Sequence, residues 1–342
     1  MTKDSQLAQA AFTAGVAAFQ AGDHAAAAKH FARALRADPG HVAAHQFSGG
    51  VAFHAGRYRE AVGEFECACR LAPESPQYHL DLAAAHWQLG EIEEARRSCE
   101  TSLSLAPDLA PAHNLLAAAT FPGAWYTDLL SAIHAHLRPR TYVEIGVADG
   151  RSIALALPET RAIGVDPEPK ITRALGPNTS IRASTSDDYF AGLEVSADLE
   201  GLPIDLAFID GMHQFEYALR DFVNIEKHCS PESTILIHDC YPLTRLTAKR
   251  ERQTLFWSGD IWRLILILKK YRPELSVNVV AAGPTGLGVV RGLDPGSTVL
   301  AERMEQIVPE FLALEYSVLD PDKAGMLALY PNDWERIKTL LA

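Results

Sequence analysis

Cysteine is scarce in this chain. The five present, Cys67, Cys69, Cys99, Cys229 and Cys240, are odd in number and never stand in Cys-x-x-Cys spacing. A disulfide framework is therefore not expected, and a reduced, cytoplasmic setting is. Long apolar runs are missing too. A membrane span needs roughly 20 such residues, and even Leu264–Leu268 falls far short. The opening MTKDSQLAQAAF lacks the cationic start and apolar core of a secretory signal. Basic excess is absent: the net charge is −12, with −4 on residues 1–118 and −8 on the remainder. That disfavours nucleic acid as a partner, because such affinity rests on neutralised phosphates. No G-x-S-x-G elbow occurs, which weakens a hydrolase reading. What remains, at 342 residues with 48% hydrophobic and 22% charged, fits a soluble chain of two domains.

The first third is periodic. Pro39, Pro73 and Pro107 lie 34 residues apart, as do Gly22, Gly56 and Gly90, and Ala27, Ala61 and Ala95. Phe31 matches Phe65, Ala34 matches Ala68, and Gly15 matches Gly49. This is the period and pattern of tetratricopeptide repeats, one antiparallel helix pair per unit. Three units span about residues 6–107. Cys99 and Ser102 replace Phe and Ala in the third, and Leu109–Ala119 reads as a capping helix. Such arrays usually bind peptides or proteins, and the alternatives are a dimerisation arm or a wall of the catalytic pocket.

The next stretch changes character. Thr141–Ile145 is a β-rich run broken at Gly146; Gly150 follows at an expected helix start, and Ala162–Val165 ends in Asp166. This is the order strand, glycine turn, helix, strand, with a carboxylate at the second strand's tip. In a parallel α/β sheet, ligands sit beyond the carboxyl ends of the strands, and an acid about twenty residues past the turn can hold ribose hydroxyls. Further strands are expected at Thr179–Ala183, Ile204–Ile209 and Thr234–Ile237, with helices at Phe215–His228 and Ile261–Leu268. A closing hairpin is expected over Leu275–Ala281 and Gly286–Val290. Asp260 reads as a helix cap. Tyr241–Trp257, with Arg245, Lys249, Arg250 and Arg252, reads as a solvated loop or, alternatively, as a lid or a grip for an anionic group.

The register Glu144-x-Gly146-x-Ala148-x-Gly150 resembles the E-x-G-x-G-x-G signature of class I S-adenosylmethionine-dependent methyltransferases, with Ala148 in place of the middle glycine. The resemblance covers roughly residues 120–292. It implies a Rossmann-like α/β sheet behind the all-α array. It also implies cofactor binding by Glu144, Gly146, Ala148, Gly150, Asp166, Ser186, Asp187 and Asp210. FIDGMHQFEYALRDF and ILIHDCYP further resemble the branch that includes the macrocin and mycinamicin sugar O-methyltransferases. By that likeness Asp210 and Asp239 hold a divalent cation such as Mg²⁺ or Mn²⁺, with His238 a further candidate ligand standing where the branch has an acid, and His213 is the base. The chemistry is coherent: a hard cation takes carboxylate oxygens and acidifies a bound hydroxyl, and an imidazole accepts the proton.

The sequence thus divides into a repeat array over 6–118, a methyltransferase domain over 120–292 and a helical extension over 293–342. The expected reaction is O-methylation of a small-molecule hydroxyl. The array is the site for a protein or peptide partner or a second copy. The competing reading is a scaffold whose methyltransferase-like domain has decayed; retention of Asp166, Asp210, His213 and Asp239 speaks against it.

Overall fold

The computed structural model describes residues 3–254 and 256–342. The chain forms two compact units that meet in sequence at Ala119/Thr120.

The first unit is all helical. Its pairs are α1 (Lys3–Gln20) and α2 (His24–Ala37), α3 (Val42–His54) and α4 (Tyr58–Leu71), and α5 (Pro76–Gln88) and α6 (Ile92–Leu105); α7 (Ala110–Thr120) follows. Each pair turns on a glycine with positive φ: Gly22 at 77°, Gly56 at 71° and Gly90 at 74°. Glycine alone takes that conformation without strain. The small residues pack as their period requires. A Cβ on Gly15 would lie 2.5 Å from the Phe31 ring, and one on Gly49 would lie 2.6 Å from Phe65. Ala83 stands at the equivalent place in the third unit, which has Cys99 instead of Phe; both are fully buried.

One periodic feature was not anticipated from the sequence. His45, His79 and His113, themselves 34 residues apart, each place Nε2 against a proline carbonyl six residues back, at 2.9, 2.9 and 2.7 Å. A carbonyl only accepts, so each ring donates its Nε2–H and ties the start of its helix to the preceding turn.

The second unit is built on an eight-stranded sheet of order β3-β2-β1-β4-β5-β7-β6-β8. The strands are β1 (Thr141–Ile145), β2 (Arg161–Val165), β3 (Thr179–Arg182), β4 (Ile204–Ile209), β5 (Cys229–His238), β6 (Ser276–Val280), β7 (Leu287–Arg291) and β8 (Leu329–Tyr330). β1 to β5 run parallel, and β7 is antiparallel to β5 and β6. β1 is buried throughout and β4 almost so, as strands covered on both faces must be. The helices that position the site are α8 (Tyr126–Leu137), α9 (Ser186–Ala191), α10 (Glu194–Leu199), α11 (Phe215–Glu226) and α12 (Trp262–Tyr271). No helix among the described residues is long and apolar enough to cross a membrane.

Four expectations need correction. The helix expected after Gly150 is only a short 3₁₀ turn, Ile153–Leu155; Pro158 follows closely, lacks an N–H and pushes its predecessor out of the helical region. Asp260 does not cap the helix after it, whose N-cap is Ile261. It accepts instead from the Phe215 N–H, 45 residues away, at 2.9 Å. Tyr241–Trp257 is only partly a solvated loop: Arg245, Lys249, Glu251, Arg252 and Gln253 are exposed, whereas Tyr241, Leu243, Thr247, Ala248 and Thr254 are buried. Arg250 is tied to Glu216 and, at 2.6 Å, to Asp260, and Arg245 is tied to Asp320. The extension after residue 292 is not only helical. Its β8 joins β6 in parallel register, Val279 opposite Leu329 and Val280 opposite Tyr330. The Asn332 side chain donates to the Ala281 carbonyl at 3.1 Å, and Ile337 and Leu341 sit in the core behind β1 and β4.

Candidate active site

The carboxyl ends of β1, β2, β4 and β5 open on one crevice of about 790 Å³ in the second unit. Of the residues singled out in the sequence, Gly146, Ala148, Asp166, Ser186, Asp187, Asp210, His213, His238 and Asp239 line it. Two do not. Glu144 is fully buried, with its oxygens accepting from the Tyr142 and Ser152 hydroxyls, each at 2.6 Å. Burial pushes its carboxyl up to about 8, despite those two donors. Gly150 faces Ile171 and Leu175. Both shape the turn from behind.

The turn itself is held by Asp166. Its Oδ2 accepts from the N–H groups of Val147 and Ala148, both at 2.9 Å, and its Oδ1 from Glu168 N–H at 2.8 Å. Ala148 takes φ +46°, the left-handed conformation that the signature's glycine would adopt freely. Gly146 is required by crowding: a Cβ there would lie 2.1 Å from the Asp210 carbonyl oxygen. The missing side chain lets the tip of β1 touch the tip of β4.

Asp210 and His213 follow β4, and His238 and Asp239 end β5. Because β4 and β5 are neighbours, the four groups converge. His213 Nδ1 lies 2.9 Å from Asp239 Oδ2 and 2.9 Å from the Trp257 carbonyl oxygen. The carbonyl can only accept, so Nδ1 carries a hydrogen and Nε2 is the ring's other functional nitrogen. Nε2 stands 3.7 Å from Asp210 Oδ1. His238 Nδ1 lies 3.1 Å from Asp210 Oδ1 and 3.4 Å from Asp239 Oδ2. Burial alone would lower both imidazoles. The two carboxylates outweigh it, holding His213 up to about 9 and His238 well above its ordinary value. Asp239 is likewise held far below the carboxylate range: burial opposes this, and the two histidines prevail. His213 and Asp239 take φ +55° and +61°. Strained non-glycine backbone of this kind concentrates at functional sites.

Three further crevice residues were not singled out individually in the sequence: Tyr126 and Thr285 come from distant segments, and Trp257 ends the loop after β5. Tyr126, at the start of α8, places its ring 4.2 Å from that of His238. Thr285 donates its hydroxyl to Asp239 Oδ1 at 2.5 Å. Trp257 stacks on His213 with ring centroids 5.1 Å apart and planes 7° from parallel. Gly259 allows that docking, since a Cβ there would lie 1.7 Å from the His213 carbonyl oxygen.

A mostly parallel sheet with a glycine turn at the tip of β1 is consistent with a Rossmann-like methyltransferase fold. Residues 143–240 match the family model described as a methyltransferase domain. Residues 12–76 and 52–119 match two tetratricopeptide-repeat models. The chain thus carries tetratricopeptide repeats and a methyltransferase-family domain. No curated protein matches it. Among solved structures it is similar to the first tetratricopeptide domain of Spaghetti (RPAP3) bound to an HSP90 peptide, with 24% identity, 32% of this chain and 87% of that one covered, and a TM-score of 0.32. It is also similar to the N-terminal domain of stress-induced protein-1 from C. elegans, with 20% identity, coverage of 34% and 96%, and a TM-score of 0.32.

Proposed function

We propose that the second unit is an S-adenosylmethionine-dependent O-methyltransferase acting on a small-molecule hydroxyl, of the sugar or natural-product kind. The observation that carries this reading is the convergence of Asp210, His213 and Asp239 in the same crevice as the glycine turn and Asp166. S-adenosylmethionine, when bound, supplies an activated methyl on a sulfonium sulfur. Asp166 suits its ribose, because the turn's N–H groups already orient a carboxylate at the crevice wall. The single-methyl wall at Ala148 and the bare Gly146 leave room beside it.

Methyl transfer to a hydroxyl must also remove a proton. His213 is placed to accept it at Nε2, with Nδ1–H held by Asp239 and the Trp257 carbonyl. Trp257 and Asp239 fix the plane of the ring. Orientation of this kind contributes as much as basicity, since the acceptor oxygen must stand in line with the transferred carbon. A base must be neutral, and the carboxylates of Asp239 and Asp210 favour the charged form of His213. A divalent ion fits this donor set: Asp210, His213 and Asp239 each bring a ligand atom within 4.8 Å of the others, and His238 Nδ1 faces both carboxylates. Such an ion would be held by Asp210 and Asp239 with His238, leaving His213 Nε2 to take the proton, and would compensate their charge and polarise a bound oxygen. The repeat array is the surface proposed for a peptide or protein partner.

The reading is tested by calorimetry with S-adenosylmethionine, followed by a methyl-transfer screen over hydroxylated acceptors before and after exhaustive chelation. Micromolar binding and chelator-sensitive transfer are expected. A folded protein that does not bind S-adenosylmethionine would fit the scaffold alternative instead. Full transfer after chelation would leave His213 acting without a metal.

A further inference from the structure

One cavity in the repeat array has no part in the chemistry described so far. It holds about 320 Å³ between α1, α3 and α5, at the small end of ligand-sized cavities. The rings of Phe19, Phe47 and Phe53 line it, together with Gly50 and Ala84. Gly50 differs from its neighbour Gly49, whose missing side chain makes room for Phe65. A Cβ on Gly50 meets nothing within 4 Å beyond its own helix. Glycine inside a helix lowers stability relative to alanine, and no packing demands it here. Its effect is to keep the cavity open.

Asp81 of α5 decides what can enter. It is half-buried and lines the same cavity. Its carboxylate accepts from the side-chain amide of Gln46 at 3.0 Å and from that of Gln77 at 2.7 Å. Both donors are neutral, and among the described residues no lysine or arginine lines the cavity. Burial pushes the Asp81 carboxyl up, and only the two amides oppose it. A carboxylate so placed is stabilised by an arriving cation. Lysine and arginine bring one on an apolar stem that packs on aromatic rings. The charge of −4 on residues 1–118 favours the same sign of partner. We infer that the cavity seats a lysine or arginine side chain from a peptide segment of a partner protein, its charged head on Asp81 and its stem against the phenyl rings. This rests on the array being a peptide-binding surface, and names the side chain that the surface selects.

The test screens a positional-scanning library of hexapeptides against the full chain, then measures the selected peptide by calorimetry. Lysine or arginine beside apolar residues should be selected at one position. Replacing that residue by norleucine, which keeps a stem and drops the charge, should weaken binding by about tenfold or more, the effect of a hydrogen bond to a charged group. In Asp81→Asn the same replacement should cost nothing, because the two charges are coupled. Gly50→Leu should fill the cavity and abolish binding without lowering the thermal midpoint. A norleucine penalty undiminished in Asp81→Asn overturns the inference, and so does full binding in Gly50→Leu. Each variant decides without the other, should one fail to fold. Selection of acidic or purely apolar peptides overturns it as well. So does a wild-type dimer that sedimentation shows to dissociate in Gly50→Leu, which would give the cavity to a second copy. If no peptide is selected, the reading of the array as a peptide surface fails and this one falls with it.

Discussion

Histidine does different work in the two units, as three repeated rings of the array and one ring of the crevice show. In the array, His45, His79 and His113 donate Nε2–H to a proline carbonyl, the same bond in each of three units. In the crevice, His213 is held through Nδ1, and its Nε2 is left within reach of Asp210. Repetition marks a ring that serves the scaffold. A single ring held at its rear nitrogen, between acids and at positive φ, marks a reactive one. The contrast teaches that residue type carries little functional meaning until its bonding is known.

Five substitutions, in four tests, sharpen or break this contrast. The largest effect is expected for His213→Ala. Removing a general base typically costs about 10²–10⁴ in rate, so turnover should collapse while S-adenosylmethionine affinity holds. Equal loss of affinity and rate would put His213 in binding rather than proton transfer.

The second concerns Glu144, the buried acid behind the turn. Its native carboxyl holds its proton up to about 8, whereas the unfolded chain releases it in the ordinary carboxylate range. The native state therefore binds more protons between those values. The stabilisation is complete below the ordinary range and is lost as pH rises towards 8. Asp221, raised to about 7, acts in the same direction. Urea midpoints from pH 5 to 9 should fall steeply in the wild type and less in Glu144→Gln, a difference on the order of a few kcal/mol. Identical slopes would rule Glu144 out as the source.

The third test contrasts two glycines. In Gly49→Ala the new methyl meets the Phe65 ring, which can shift, so overpacking should cost about 1–3 kcal/mol. Hydrogen exchange over α3 and α4 reads this directly. In Gly146→Ala the methyl meets a backbone carbonyl at 2.1 Å with φ at +86°. That variant should lose more stability and also displace Asp210. A Gly146→Ala protein as stable as Gly49→Ala would show that the β1 and β4 tips need not touch. The smallest effect is expected for His79→Ala, which deletes one partly exposed bond worth about 0.5–1.5 kcal/mol. It should leave turnover untouched, and a catalytic defect would blur the distinction drawn above.

These cases also show how far the sequence could be read. A period of 34 repeats each constraint several times, so the array was legible down to Gly15 and Gly49 against Phe31 and Phe65. Strands buried on both faces announce themselves as apolar runs, and an acid after such a run falls at the sheet's carboxyl edge. That made Asp166, Asp210 and Asp239 visible. Long-range pairs leave no local trace. Nothing near Asp260 shows that it accepts from Phe215 N–H, and nothing near Trp257 shows that it stacks on His213. A two-residue strand such as β8 is too short to have a period. The 3₁₀ turn at Ile153 was missed because the glycine turn resembles a motif in which a helix follows.

That short strand has a consequence for synthesis. β6 presents its outer hydrogen-bonding groups to Leu329 and Tyr330, more than forty residues further along the chain. While the ribosome is still making the intervening residues, β6 remains an open sheet margin able to pair with a neighbouring nascent chain. That margin of β6 is covered only when the segment carrying β8 emerges and folds back.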